Sequence, residues 1–135
     1  MDFLGGVEDD PGAVVQQWVD GWEKYPAGKL VVETRAGERI GRVGLNFYDP
    51  ASWLRSSAPD ARPELTWGLA FEHWGQGYAT EAAAAVRDWF GRRDLISLIS
   101  PQNSRSQGVA KRLGATPGEL VELPDGGPHV MWTHP

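Results

Sequence analysis

Trp74-Gly75-Gln76-Gly77-Tyr78-Ala79-Thr80-Glu81-Ala82 and Asn103-Ser104-Arg105-Ser106-Gln107-Gly108-Val109-Ala110-Lys111-Arg112-Leu113-Gly114-Ala115 are the stretches that decide how this chain folds. The first is a glycine-rich turn leading straight into an alanine-rich segment. That segment predicts a helix from Thr80 to about Arg92, with Ala82, Val86, Trp89 and Phe90 on one side. The second stretch follows the short apolar strand Leu95-Ile96-Ser97-Leu98-Ile99 and predicts a helix from about Ser104 to Leu113. A helix that starts after glycines aims several backbone N–H groups and the positive end of its dipole at one point, where a phosphate is stabilised. A Gly-x-Gly turn alone says little, because any tight strand-to-helix connection has that composition. The second stretch, which begins 26 residues after Gly77, makes the pair specific.

Outward from these, residues 1 to 10 read as an irregular lead-in. Pro11 is placed to open a helix through about Tyr25, with Val14, Val15, Trp18 and Trp22 as its apolar stripe, and Pro26-Ala27-Gly28 ends it. Leu30 to Thr34 and Ile40 to Phe47 are strands by their β-branched and aromatic content, joined by a turn at Ala36-Gly37-Glu38. Asp49 to Pro63 is a Pro-, Ser- and Ala-rich loop around Trp53 and Leu54. Its length fits an acceptor-side lid or a variable surface loop with one apolar anchor. Glu64 to Ala70 is the next strand. Glu119 to Leu123 and His129 to Thr133 form a final hairpin across Pro124-Asp125-Gly126-Gly127-Pro128. The order helix, meander, helix, strand, helix, hairpin predicts a mixed α/β sheet with helices packed on it.

Composition excludes several functions. At 135 residues the chain is read as one domain, residues 1 to 135. A net charge of −5 without any basic block argues against a nucleic-acid partner. The absence of Cys removes disulfides, thiolate metal sites and a cysteine nucleophile, and His73, His129 and His134 lack ligand spacing, so no metal is expected. No apolar run is long enough for a membrane span or signal peptide, which gives a cytoplasmic, membrane-free expectation.

The two motifs resemble those of the GNAT superfamily of acetyl-CoA-dependent N-acetyltransferases, and within it the RimJ/RimL-like branch. The family pattern Gln/Arg-x-x-Gly-x-Gly/Ala is filled by Trp74-Gly75-Gln76-Gly77-Tyr78-Ala79, with Trp in first place as in that branch. The branch's following motif is met by Asn103, Ser106, Val109, Leu113 and Gly114, and Glu64-Leu65-Thr66-Trp67-Gly68-Leu69 is similar to the family's fourth strand. The pattern departs at Lys111 and Arg112, where Glu and Lys are commoner, and at Ala115, where Phe is.

The resemblance implies a mostly antiparallel central sheet of α/β (α+β) type, splayed at a cofactor cleft with helices on both faces. It implies acetyl-CoA as co-substrate and direct transfer of the acetyl group to a primary amine. The N–H groups of Gln76, Gly77, Tyr78, Ala79 and Thr80 would then cradle the coenzyme's pyrophosphate, Gly75 and Gly77 letting it approach the backbone and Trp74 being a core or cofactor-flanking aromatic. Asn103 would hold the pantetheine arm, and Ser106 would flank it. A backbone N–H near Leu69 or Ala70 would take the oxyanion. The reaction needs a base, an oxyanion site and a proton for the thiolate. Glu64 is the candidate base, or else a solvated strand-end carboxylate after Pro63. Many relatives carry a Tyr acid on the last helix; it would fall at Ala110 and is missing, so Ser106 is the substitute the pattern offers.

Relatives also begin with a strand and a helix, whereas Met1 here is followed at once by Phe3-Leu4-Gly5-Gly6, which resembles the segment after that helix. An N-terminally short fold would leave Leu30-Val31-Val32 without a neighbouring strand, and an uncovered edge predicts a dimer or larger homo-oligomer. A non-catalytic acyl-CoA-binding module is the alternative function. A Rossmann-type enzyme is disfavoured because Thr80 occupies the last Gly place of Gly-x-Gly-x-x-Gly.

Overall fold

The computed structural model describes residues 2–3, 14–17, 29–70 and 74–135. The chain divides into two compact units, Met1–Leu45 with Thr66–Gly91, and Asn46–Leu65 with Arg92–Pro135. Two strands run through both: β4 (Arg39–Tyr48) and β5 (Arg62–Leu69).

In the first unit, β1 (Asp2–Phe3), β2 (Val14–Gln17) and β3 (Lys29–Glu33) lie in the order β1-β2-β3-β4-β5, with β1 to β4 antiparallel. β3 and β4 are the expected meander. Their turn closes through Thr34 N–H to the Glu38 carbonyl and Gly37 N–H to the Thr34 carbonyl, each at 2.9 Å. Gly37 has φ 88°, which a residue with a Cβ adopts only at a cost. Leu30, Val32, Val43, Leu45 and Val86 are at most 1% exposed, and full burial of such a side chain contributes about 1.5–3 kcal/mol.

β2 corrects the sequence-based helix over Pro11 to Tyr25. Its backbone pairs with β3 in the register Val14–Glu33, Val15–Val32, Gln16–Val31 and Gln17–Leu30. The remainder of that expected helix lies outside the described residues. The Val14-Val15 pair has strand propensity, and the hydrogen-bonding row of β3 outweighs a loose helical spacing. The same pairing corrects the expected open edge: β3 has a neighbour, and Leu30, Val31 and Val32 are buried within the chain.

Helix α1 (Tyr78–Phe90) starts at Gly77 and ends at Gly91, both left-handed. The Gly91 N–H closes on the Arg87 carbonyl at 3.0 Å, so the helix ends where a Cβ is first disfavoured. Its buried face is Ala82, Ala83, Ala85 and Val86. Trp89, expected on that face, is 46% exposed.

In the second unit the order is β4-β5-β6-β8-β7, with β6 (Ile96–Ile99), β7 (Thr116–Leu123) and β8 (Gly127–Thr133). β5 and β6 run parallel, in register at Glu64–Ile96. β6 and β8 are antiparallel from Ile96–Thr133 to Ile99–Val130, and β7 and β8 form the expected terminal hairpin. One parallel join among antiparallel ones makes the mixed, mostly antiparallel sheet that the motifs implied. Helix α2 (Ser104–Arg112) follows β6 and buries Val109 and Ala110.

The loop after β4 is a tight hairpin at its start. Asp49 Oδ2 accepts from the N–H groups of Ala51 and Ser52, at 3.1 and 2.7 Å. These bonds hold the Asp49 carboxyl below the usual carboxylate range, the Ser52 backbone contributing most.

β4 and β5 approach unusually closely at Gly41, where a Cβ would collide with the Gly68 carbonyl oxygen and with Leu69. A Cβ at Gly68 would meet nothing within 4 Å. Gly41→Ala is therefore expected to cost about 1–3 kcal/mol in urea unfolding, as overpacked sites do, and Gly68→Ala to be nearly neutral. Equal effects from the two would show that the close approach is not maintained in solution.

Candidate active site

The first unit carries the glycine turn. Gly75 has φ 80° and Gly77 φ 82°, and a Cβ at either would meet no described atom within 4 Å. These positions require glycine for backbone conformation, while the space beside them is open. No side chain caps α1. Its first internal bond is Glu81 N–H to the Gly77 carbonyl at 3.0 Å, so the N–H groups of Tyr78, Ala79 and Thr80 lie ahead of the helix's own bonding. Gln76 is exposed between the two glycines. Trp74, read from sequence as a core or cofactor-flanking aromatic, is 39% exposed, and its indole N–H donates to the Leu69 carbonyl at 3.0 Å. That bond pins the turn to the end of β5.

The end of β5 corrects one expectation. The Ala70 N–H donates to the Ile40 carbonyl at 2.8 Å, so it is spent within the sheet and is not an oxyanion donor. Leu69 keeps that candidacy. Beside it, Gly41, Arg42, Val43, Thr66, Trp67, Gly68 and Leu69 line an open hollow of about 320 Å³.

The second unit carries the carboxylate. Glu64 is 6% exposed, which excludes the solvated strand-end reading. Its Oε1 accepts from Asn46 Nδ2 at 3.1 Å and its Oε2 from the Leu98 backbone N–H at 3.0 Å. A buried carboxylate is tolerable only with such donors. The same strand pair is bridged again by Ser97 Oγ, which donates to the Leu65 carbonyl at 2.6 Å. Ser97 has one hydroxyl proton, so its 2.8 Å contact with buried His134 has Nε2–H as donor.

Tyr48 lies beside this group. Burial, and after it the Glu64 charge, push its phenol above the ordinary tyrosine range, while the Arg55 cation pulls the other way. Arg55 sits 5.9 Å over the Tyr48 ring, and the Trp53 ring centroid is 6.2 Å away. Trp53 adopts φ 59°, a left-handed conformation uncommon for a bulky residue.

Asn103 caps α2, its Oδ1 accepting from the Ser106 N–H at 3.1 Å. The cap uses the oxygen, and the amide nitrogen is the end that donates. Ser106 is half-buried in the first turn of the helix. Lys111 and Arg112 are exposed in its last turn, where cations favour the helix dipole.

Residues 2–116 match the Acetyltransferase (GNAT) domain family. The chain belongs to that family. It is 28% identical over 123 residues to YkkB of Bacillus subtilis, an alignment covering 84% of this chain and 66% of that protein. It is 36% identical to a crystallised acetyltransferase from Agrobacterium tumefaciens, covering 85% of this chain and 65% of that one at a TM-score of 0.64. AAC(6')-Ib, solved in complex with acetyl-CoA, shares the fold at a TM-score of 0.66 with 18% identity, over 84% of this chain and 67% of that one. The chain thus spans about two thirds of the length of the GNAT relatives it matches.

Within this GNAT domain, Ala110 is fully buried in α2. Among the described residues no cluster of His, Cys, Asp and Glu is arranged to hold a metal, and no helix is long and apolar enough to cross a membrane. Sequence reasoning missed Asn46, Tyr48, Ser97, His134 and Arg42. Ser97 and His134 are 37 positions apart and share no motif. Arg42 carried a readable sign, a charge set between Gly41 and Gly44 within the strand.

Asn46→Ala removes a donor from a buried carboxylate and is expected to lower stability by about 1–3 kcal/mol in urea unfolding. Unchanged stability would mean that Asn46 does not hold Glu64 in solution.

Proposed function

We propose that this domain transfers the acetyl group of acetyl-CoA to a primary amine by direct attack, without a covalent enzyme intermediate. The observation that carries the reading is the uncapped start of α1 behind two left-handed glycines. It supplies backbone donors in the place where family relatives with this motif hold the coenzyme pyrophosphate. Gly75, Gln76, Gly77, Tyr78, Ala79 and Thr80 form the phosphate cradle, and Trp74 fixes it through Leu69. Asn103 presents its amide nitrogen to the pantetheine arm, and Ser106 flanks it. Trp74, Asn103, Ser106 and Val109 support the RimJ/RimL-like placement within the family.

In the reaction the neutral amine nitrogen attacks the thioester carbon and the carbonyl oxygen becomes an oxyanion near the Leu69 N–H. Glu64 takes the ammonium proton through a water, its orientation set by Asn46 and Leu98. The C–S bond then breaks and the thiolate takes a proton from Ser106 or from solvent. The alternative is an acyl-CoA-binding domain without turnover, favoured by Ala110 standing where a tyrosine acid is common. Coenzyme binds in both cases, and thiol release on adding an amine separates them.

Gly77→Asp should abolish acetyl-CoA binding in calorimetry, through a negative charge set at the cradle. Asp tolerates the left-handed conformation better than most residues, so the variant should stay folded by circular dichroism. Unchanged affinity in folded protein would overturn the cradle.

Glu64→Gln should leave acetyl-CoA affinity nearly intact and lower kcat by roughly 10²–10⁴-fold, with Ser106→Ala weaker because water reaches a departing thiolate. Full kcat in Glu64→Gln across the pH range would confine Glu64 to a structural role.

A further inference from the structure

The hollow beside β5 has one charge among its lining residues, Arg42, and no carboxylate. Arg42 is solvent-exposed on β4. Its partner across the β3–β4 ladder is Val31, which is apolar and buried. The other lining residues are Thr66, the half-buried Trp67, Gly41, Gly68, Val43 and Leu69. At Gly41 the β5 backbone and the Leu69 side chain come in so close that no Cβ fits there, whereas the space beside Gly68 is open. The hollow thus has one cation, one hydroxyl-bearing residue and one aromatic residue among those that line it.

We propose that Arg42 sets acceptor specificity, and that the acceptor is a small primary amine carrying a carboxylate. Size and charge both enter. A hollow of about 320 Å³ matches a group of amino-acid dimensions. A guanidinium pairs with a carboxylate through two parallel hydrogen bonds and repels a second ammonium. Polyamines and aminoglycosides, which carry several ammonium groups, are the acceptors this site disfavours. The inference rests on the acetyl-transfer reading, because it names the amine that the reaction consumes.

Two sources present the same chemistry, a free amino acid and an acidic residue at a peptide's N-terminus, and matched acceptors distinguish them. Thiol release is measured with alanine against alaninamide, and with peptides beginning Asp-Ala against Asn-Ala, with spermidine and kanamycin alongside. The carboxylate member of at least one pair should have kcat/KM about tenfold or more above its amide, the range expected of a charge-assisted hydrogen bond. Spermidine and kanamycin should fall below it. Arg42→Gln should bring that ratio close to one with acetyl-CoA affinity unchanged in calorimetry, and Arg42→Lys should keep part of the preference. Ligand-observed NMR with N-acetylalanine and its amide, and with the acetylated peptides, reads the same preference without turnover.

Flat ratios in both assays, a preference for the polycations, or a preference that survives Arg42→Gln would overturn the proposal. Failure of acetyl-CoA to bind in calorimetry would overturn the acetyl-transfer reading instead, and the NMR preference and its loss in Arg42→Gln would still decide the role of Arg42.

Discussion

A buried carboxylate organises the second unit of this domain. Glu64 lies where the only parallel strand join among the described residues is made, and it reaches to both sides of its own strand. Asn46 on β4 gives it one hydrogen bond and the Leu98 N–H on β6 gives it another. Parallel neighbours are ordinarily held by an evenly spaced backbone ladder. Here a side chain takes the Leu98 N–H, and a second side chain, Ser97, takes the Leu65 carbonyl. The join between β5 and β6 is therefore partly built of side chains, and His134 steadies it by holding the Ser97 hydroxyl. An ion in that position is expensive to desolvate, and hydrogen-bond donors offset the cost only while they remain in place.

This arrangement reconciles two demands on one residue. A proton acceptor for an ammonium group has to be ionised and aimed, and burial alone would favour the neutral acid. Donors from two strands favour the charged form and fix its direction. Tyr48 registers that charge, since Glu64 helps to push its phenol upward. The proposed phosphate cradle would work by a different principle. Its donors are backbone N–H groups, which lose no side-chain entropy on binding, and its shape depends on two glycines and one indole hydrogen bond. On the proposed reading, chemistry rests on a costly buried ion, and coenzyme binding on inexpensive backbone geometry.

Sequence made the fold legible wherever local chemistry and tertiary need agree. The strands of the meander, the strand at Leu95 to Ile99, both described helices and the terminal hairpin lie within a few residues of where pattern put them. Gly77 and Gly91 bracket α1 for the conformational reason that glycine signals in sequence. Pattern failed at Val14–Gln17, where two valines at a loose helical spacing are recruited by the edge of β3. It failed again at Trp89, because Ala82, Ala83, Ala85 and Val86 form the buried face of α1. For the site, the turn and the Asn103 cap were visible because they are local motifs. Asn46, Ser97 and His134 were not, because their roles exist only through pairings between distant strands. Ala70 shows the opposite error: family likeness offered its N–H for catalysis, and the Ile40 carbonyl already holds it.

The central claim is that the backbone at the start of α1 receives the coenzyme's phosphates. Hydrogen–deuterium exchange resolved along the chain, with and without saturating acetyl-CoA, tests it most directly. The account predicts slowed exchange concentrated in the amides of residues 76–80 at the beginning of α1, with little change toward Phe90 at its far end. Coenzyme binding that leaves exchange at residues 76–80 unaltered would contradict it.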